Sequence, residues 1–339
     1  MKVISARNVN EALLLGLNAL QEEGVDRDSR NGMVRVFPEP VTTVYQEPEE
    51  RVVFFPERDA NPYFHFMESL WMLSGRRDVE WISQFSTNIM NYSDDGVTFH
   101  GAYGYRWRNW FSPAIGDYQY KDVVVDQLTT IASLLKMNPD DRRVVLQMWD
   151  TSADLGMEGK DFPCNLIATF RISPYNFLDM TVFNRSNDMI WGAYGANAVH
   201  FSMLQEVMAA WVGVPIGRYW QVSTNFHAYH NILKKHSDLL KISPGFDDYS
   251  LGNVRPFKVV NSPIDEWFQD LEMFMEVGPV MGFKDVFFKK VASPMFQSWM
   301  AWKDRENPNH AENALKLAEK IAAEDWRKAC VEWLIRRSK

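Results

Sequence analysis

A chain of 339 residues with 46% hydrophobic and 14% aromatic residues has material for one large core with an addition or for two small ones, which excludes a disordered chain. Its 44 acidic against 36 basic residues leave a net charge of −8, which argues against binding to polymeric nucleic acid, because phosphate contacts need a basic surface. The two cysteines, Cys164 and Cys330, form neither a disulfide framework nor zinc-type spacing, so no metal is expected. No run approaches the roughly 18 apolar residues of a membrane helix. The expectation is a chain of the reducing cytoplasm, a viral one acting in its host included.

In chain order, the N-terminal segment to about Gly24 reads as an amphipathic helix opened by Asn8 or Asn10. DRDSRNG reads as a polar turn, and MVRVF, VTTVYQ and RVVFF as strands. A buried helix follows, with Asn61 as cap, Pro62 in its first turn and Gly75 at its end. Val123–Lys136 reads as an amphipathic helix. RRVVLQMW, CNLIATFRI and LDMTVFNR read as strands, about Asn197–Val212 as a long apolar helix, and VSTNFHAYH as a passage from strand to helix. From Ser262 onward the pattern is helical. The predicted class is α+β, a mixed sheet against long helices, with residues 1–261 as a catalytic domain and 262–339 as a helical extension.

Cys164 in FPCNL is a candidate nucleophile. A lone cysteine is more often a buried core residue, but Pro163 and Asn165 put this one at the edge of an element, where a side chain can face a cleft. Cys330 reads as packing. Glu68, among Phe64, His65, Trp71 and Met72 on one helix face, is either a satisfied structural acid or one poised for proton transfer. Arg30, Arg142, Arg143 and Arg185 are candidates for a phosphate, since arginine offers a bidentate fork. Singly each reads as a surface charge, except Arg185, which follows an apolar strand and precedes Ser186 and Asp188. His227 and Tyr229 fit a sugar hydroxyl or, equally, a polar turn.

Taken together and in order, SRNG, FMESLWMLSG, GAYGYRWRNW, DDRRVVLQMWD, FPCNL, NRSNDMIWG and NFHAYHN resemble the motifs of the thymidylate synthase family. The resemblance runs from about Arg30 to Asn231. It implies that Cys164 attacks C6 of a pyrimidine nucleoside monophosphate, so that C5 can take a one-carbon unit from 5,10-methylenetetrahydrofolate as co-substrate. It further implies Arg30, Arg185 and Ser186 on the nucleotide phosphate, joined by Arg142 and Arg143 from the second subunit of a homodimer. Glu68 would manage protons through water, Tyr103 would position the water that removes the C5 proton, and His227 and Tyr229 would hold the sugar. Asp188 and Gly192 would face the folate.

The departures bear on the reaction. Asn165 stands where the family has His, and Asn225 where it has Asp. Met90 and Ser93 align with two tryptophans that cover the folate, and the usual C-terminal tail is replaced by the helical extension. A weakened cover admits water to an exocyclic methylene, so 5-hydroxymethylation of dUMP or dCMP is the expected reaction. Asn197 reads the base if GAYGANAVHF carries one extra residue before it. Without that insertion Ala196 takes the place. No Asp stands in that segment, which favours uracil, because ionised Asp accepts only. The alternatives are methylation to thymidylate, hydroxymethylation of CMP, and a non-catalytic nucleotide-binding relative.

Overall fold

The computed structural model describes residues 1–111 and 124–338. A strand, β1 (Lys2–Ala6), precedes the first helix, because Ile4 and Ala6 alternate into the core. The helix itself, α1 (Val9–Glu23), is capped by Asn8, whose side chain accepts from the Asn10 and Glu11 amides. The polar segment expected as a turn is mostly strand β2 (Val25–Ser29), held by its antiparallel ladder to β3 (Gly32–Val36) rather than by burial. Gly32, at φ 110°, completes the hairpin turn, a conformation few other residues accept.

After β4 (Val41–Tyr45), RVVFF is not a strand. Its backbone groups find side chains instead of a ladder. Val52 N donates to Tyr249 Oη, Phe54 N donates to Asn10 Oδ1, and Asn10 Nδ2 donates to Val52 O. Helices α2 (Pro62–Leu73), α3 (Val79–Ser83) and α4 (Tyr103–Arg108) follow. Asn61 caps α2 through the Phe64 amide, as the sequence predicts. A Cβ on Gly104 would stand 2.0 Å from Met72 O, so glycine is what lets α4 pass against α2.

Of the helix expected over Val123–Lys136, Val123 lies outside the described residues; the described helix is α5 (Gln127–Met137), capped by Asp126. Next come β5 (Val145–Gln147), α6 (Thr151–Asp154), β6 (Asn165–Ile172), β7 (Leu178–Asn184) and β8 (Asn187–Asp188). Helix α7 (Asn197–Val212) is buried from Asn197 to Ala209 and packs on α2. Strands β9 (Ile216–Ser223) and β10 (Phe226–Tyr229) and helix α8 (His230–Lys235) complete this part.

The strands form a mixed six-stranded sheet in the order β1-β4-β9-β7-β6-β5 and a four-stranded sheet in the order β2-β3-β10-β8. With the helices they give the α+β class expected. Helices α9 (Ile264–Val277), α10 (Ser293–Lys303), α11 (His310–Ala318) and α12 (Glu324–Arg337) bring Trp267, Phe274, Met295 and Leu334 into the same apolar core. They are bolted to α2 and its surroundings. Tyr63 Oη meets Ser298 Oγ at 2.7 Å, Trp299 Nε1 donates to Gln84 O, and Arg337 grips Asp59 with two bonds of 2.7 and 2.8 Å.

Candidate active site

Helices α2 and α7, the loop before α4 and strand β10 surround a cleft of about 630 Å³. Of the residues singled out from sequence, Glu68, Tyr103, Asp188, Asn197 and Tyr229 line it. Cys164 adjoins it at the entry to β6, one residue before the strand's first ladder position. Its amide and that of Asn165 both donate to Tyr103 Oη, at 3.0 and 3.3 Å. Tyr103 therefore fixes the backbone at Cys164 and keeps its own O–H to donate.

The thiol of Cys164 is half-buried. Burial pushes its pKa up, the positive charge of Arg185 pulls it down, and Asp161 pushes it up further. Arg185 is bound to the same loop: its amide donates to Cys164 O, and its guanidinium to Pro163 O and Phe162 O. Any thiolate at Cys164 thus depends on the arginine beside it, which an anion would also engage.

A line of amides runs inward from the nucleophile. Asn165 Nδ2 donates to Asn197 Oδ1, Asn197 Nδ2 to Asn187 Oδ1, and Asn187 Nδ2 to Gln221 Oε1 and Ser223 Oγ. Gln221 Nε2 ends the line on Tyr219 Oη. Each amide is buried and each donates in the same direction, so Asn197, Asn187 and Gln221 cannot flip without breaking at least two bonds, whereas Asn165 Oδ1 is left without a partner. A Cβ on Gly192 would lie 2.6 Å from Asn187 Oδ1 and 3.3 Å from Asn197 Nδ2; its missing side chain makes room for this line.

The segment before Asn197 is not a regular α-helix. Met189–Ala196 is a π-type helix with a break at Tyr194 and Gly195, and it runs directly into α7. A π-turn is how a helix absorbs one added residue without losing register beyond it. Asn197, not Ala196, consequently begins the buried face of α7 and joins the amide line.

Asp188 caps the π-turn through the Trp191 amide at 2.7 Å, while its Oδ2 is buried and unpaired; burial raises its pKa. The exposed Trp191 ring lies beside it, stacked on the Arg58 guanidinium, which in turn donates to Ile190 O. From the segment aligned with the family's tryptophans, Ile89 and Tyr92 face the cleft; Met90 is exposed, and Ser93 is buried with its hydroxyl donating to Thr98 O.

On the small sheet, Arg30 stands exposed at the β2–β3 turn, and its neighbour Asn31 reaches Tyr229 Oη at 3.5 Å. His227 pairs through Nδ1 with Asn225 Oδ1 at 3.0 Å, so the asparagine found in place of aspartate still holds the imidazole. Ser186 is half-buried beside Arg185. Arg142 and Arg143 stand apart, exposed at the start of β5, with Arg143 bidentate on Asp141.

The cleft also holds residues that the sequence reading passed over. His200 lies one turn after Asn197 on α7, with Nε2 3.0 Å from Glu68 Oε2. A histidine three positions after a site residue on a helix shares its face, and that spacing was visible in GAYGANAVHF. Asn187, Gln221 and Ser223 carried no such signal, since only the sheet brings them together. Among the described residues no group of three or more His, Cys, Asp or Glu could hold a metal ion, and no helix is long and apolar enough to cross a membrane.

A family model described as thymidylate synthase matches residues 16–249. The chain is 52% identical to a deoxyuridylate hydroxymethyltransferase of Pseudomonas phage M6, over 99% of this chain and 95% of that protein. It is 38% identical to a deoxyuridylate hydroxymethyltransferase of Bacillus phage SP01, over 56% of this chain and 49% of that one. A thymidylate synthase of Streptococcus agalactiae is 31% identical, over 59% of this chain and 69% of its own length.

Proposed function

The chain belongs to the thymidylate synthase family and is a transferase of that family, and from that premise we propose that it hydroxymethylates C5 of deoxyuridylate, with methylenetetrahydrofolate as co-substrate. The observation that carries the choice of base is the direction of the amide line. Asn197 accepts from Asn165 and donates to Asn187, which leaves one N–H and one lone pair on the same amide. Uracil offers O4 to the first and N3–H to the second. Cytosine offers the reverse and would meet like against like.

The folate supplies the one-carbon unit. Trp191 gives a flat ring to stack on, and the unpaired Asp188 Oδ2 gives an acceptor for a ring N–H, so the residues present suit a pterin. Cys164 bonds to C6, and the C5–C6 π pair becomes available at C5 for the one-carbon unit. Arg30, Arg185 and Ser186 hold the nucleotide phosphate, and His227 and Tyr229 the sugar. Arg142 and Arg143 join the phosphate from the second subunit of a homodimer. Their exposure away from Arg185, and the half-exposed apolar face formed by Leu166, Ile167 and Phe183, support that assembly.

The hydroxymethyl outcome is supported by the rim. Ile89 and a 60% exposed Tyr92 stand where a closed tryptophan cover would exclude water, and the relatives named above for hydroxymethyl transfer include the one aligned over nearly the whole chain. The division at residue 262 belongs to the same reading. The matched segment ends at residue 249, and no described lining residue of the cleft lies beyond Tyr229.

Mass spectrometry of the nucleotide formed from equimolar dUMP, dCMP and CMP with methylenetetrahydrofolate tests this. Hydroxymethyl-dUMP is the expected product. Thymidylate with stoichiometric dihydrofolate, or modification of a cytosine nucleotide, overturns the reaction or the base respectively.

A further inference from the structure

The buried pair Glu68–His200 has more proton capacity than a methylating enzyme of this family requires. Methyl transfer removes one proton from C5 and finishes with a hydride. Hydroxymethyl transfer, the reading on which this inference rests, uses no hydride and must also remove a proton from water. The balance closes because tetrahydrofolate leaves with two N–H protons that the methylene-bridged form lacks. Two protons therefore pass through the site in each turnover.

Glu68 on α2 and His200 on α7 both line the cleft, with Nε2 3.0 Å from Oε2, yet neither atom makes a directed hydrogen bond to any other group. Their side chains are 16% and 4% exposed, so the carboxylate lies toward the cleft and the imidazole behind it. The other histidine on this wall, His65, is buried, and burial with the neighbouring Arg58 charge pushes its pKa well down and keeps it neutral. The other charged and titratable groups lining the cleft are Arg58, Asp59, His65, Tyr92, Tyr103, Asp161, Asp188 and Tyr229. None of these is within bonding distance of Nε2.

We propose that His200 is a positioning residue that empties Glu68 between the two proton transfers. Glu68 takes the C5 proton first and passes it to His200 Nε2, which restores the carboxylate. Glu68 then takes a proton from water as its oxygen bonds to the exocyclic methylene carbon. The methylene π pair moves into the ring as the O4 enolate. The enolate re-forms C5–C6 as a double bond and breaks the C6–S bond, returning Cys164 as thiolate. The folate nitrogens take their two protons from solvent earlier, N10 as the bridge opens and the carbon bonds to C5, and N5 as the bond from that carbon to N5 breaks and the methylene forms. The protons held on His200 and Glu68 return to solvent at the end of the turnover.

The test separates the two transfers. In the intact protein, tritium release from [5-³H]dUMP and formation of hydroxymethyl-dUMP should match one to one. In His200→Gln, tritium release should exceed hydroxymethyl product by at least about ten-fold, since one acid–base group contributes on the order of 10²–10⁴ in rate. Added 2-mercaptoethanol should then capture the stalled methylene as a thioether nucleotide. Equal loss of both readouts, or no loss of either, overturns the proposal and assigns His200 to packing. If glutamine unfolds the protein by circular dichroism, His200→Asn is read in the same way. Thymidylate and dihydrofolate from the unmutated protein would show that the underlying reading had failed, before any variant is compared.

Discussion

On the helical wall of the cleft, α2 and α7 set Glu68, His65 and His200 among apolar neighbours, whereas Asn197 at the start of α7 gives the cleft an amide wall backed by the buried Asn165 and Asn187 of the sheets, none of which titrates. The helical wall can change charge during turnover. The amide wall keeps one donor–acceptor pattern at every pH, because each member is held by the next. The contrast suits a reaction in which protons must move on one side of the base while its edge is read unchanged on the other. It also shows where each kind of substitution should act.

Removing the nucleophile severs both walls from their purpose. Cys164→Ala should lower product formation by more than about 10⁴-fold, measured by product mass spectrometry, while nucleotide binding by calorimetry stays within a few-fold. Turning one amide into an acid gives the amide wall the other wall's chemistry. Asn197→Asp keeps the bond from Asn165 Nδ2 but sets a carboxylate oxygen against Asn187 Oδ1. Its kcat/KM for dUMP should fall about 10²-fold and the ratio for dCMP over dUMP should rise, in steady-state assays.

Deeper in the line the effect turns from activity to stability. Asn187→Leu leaves Gln221 Oε1, Ser223 Oγ and Asn197 Nδ2 short of a partner, and should cost roughly 1–3 kcal/mol or more by denaturant unfolding. The pH dependence of the thiol checks the charge balance between the walls. Burial raises the Cys164 pKa, so the rate of iodoacetamide labelling should rise with pH through a midpoint above that of an ordinary thiol. In Arg185→Gln that midpoint should move higher still, because the stabilising charge is gone. The smallest effect is expected furthest from both walls. Arg337→Ala releases Asp59 at the cleft rim, a partly exposed pair, and should cost less than about 1 kcal/mol in unfolding.

Much of the helical wall was legible as sequence. Helix α2, its Asn61 cap and Glu68 on its face follow from periodicity and capping, which are local properties. The long apolar run over α7 was equally plain, and its boundaries agree residue for residue with those expected. Strand assignments were weaker where burial and pairing disagree. RVVFF has the composition of a strand but satisfies its backbone with Asn10 and Tyr249, which are remote in sequence. DRDS has the composition of a turn but lies in strand β2, because its ladder partner β3 lies one hairpin away.

The sequence alone determined the α+β class, the candidate nucleophile and the set of motifs, because helix periodicity, capping and short motifs are written in neighbouring residues. Tertiary structure alone decided which residue of that segment joins the buried amide line. The π-turn over Met189–Ala196 runs into α7 and sets Asn197 in the line from Asn165 to Gln221. Tertiary structure also paired His200 with Glu68, since two helices far apart in the chain had to pack before their facing side chains could come within 3.0 Å. Such pairings depend on where separate elements meet, and no local pattern records that.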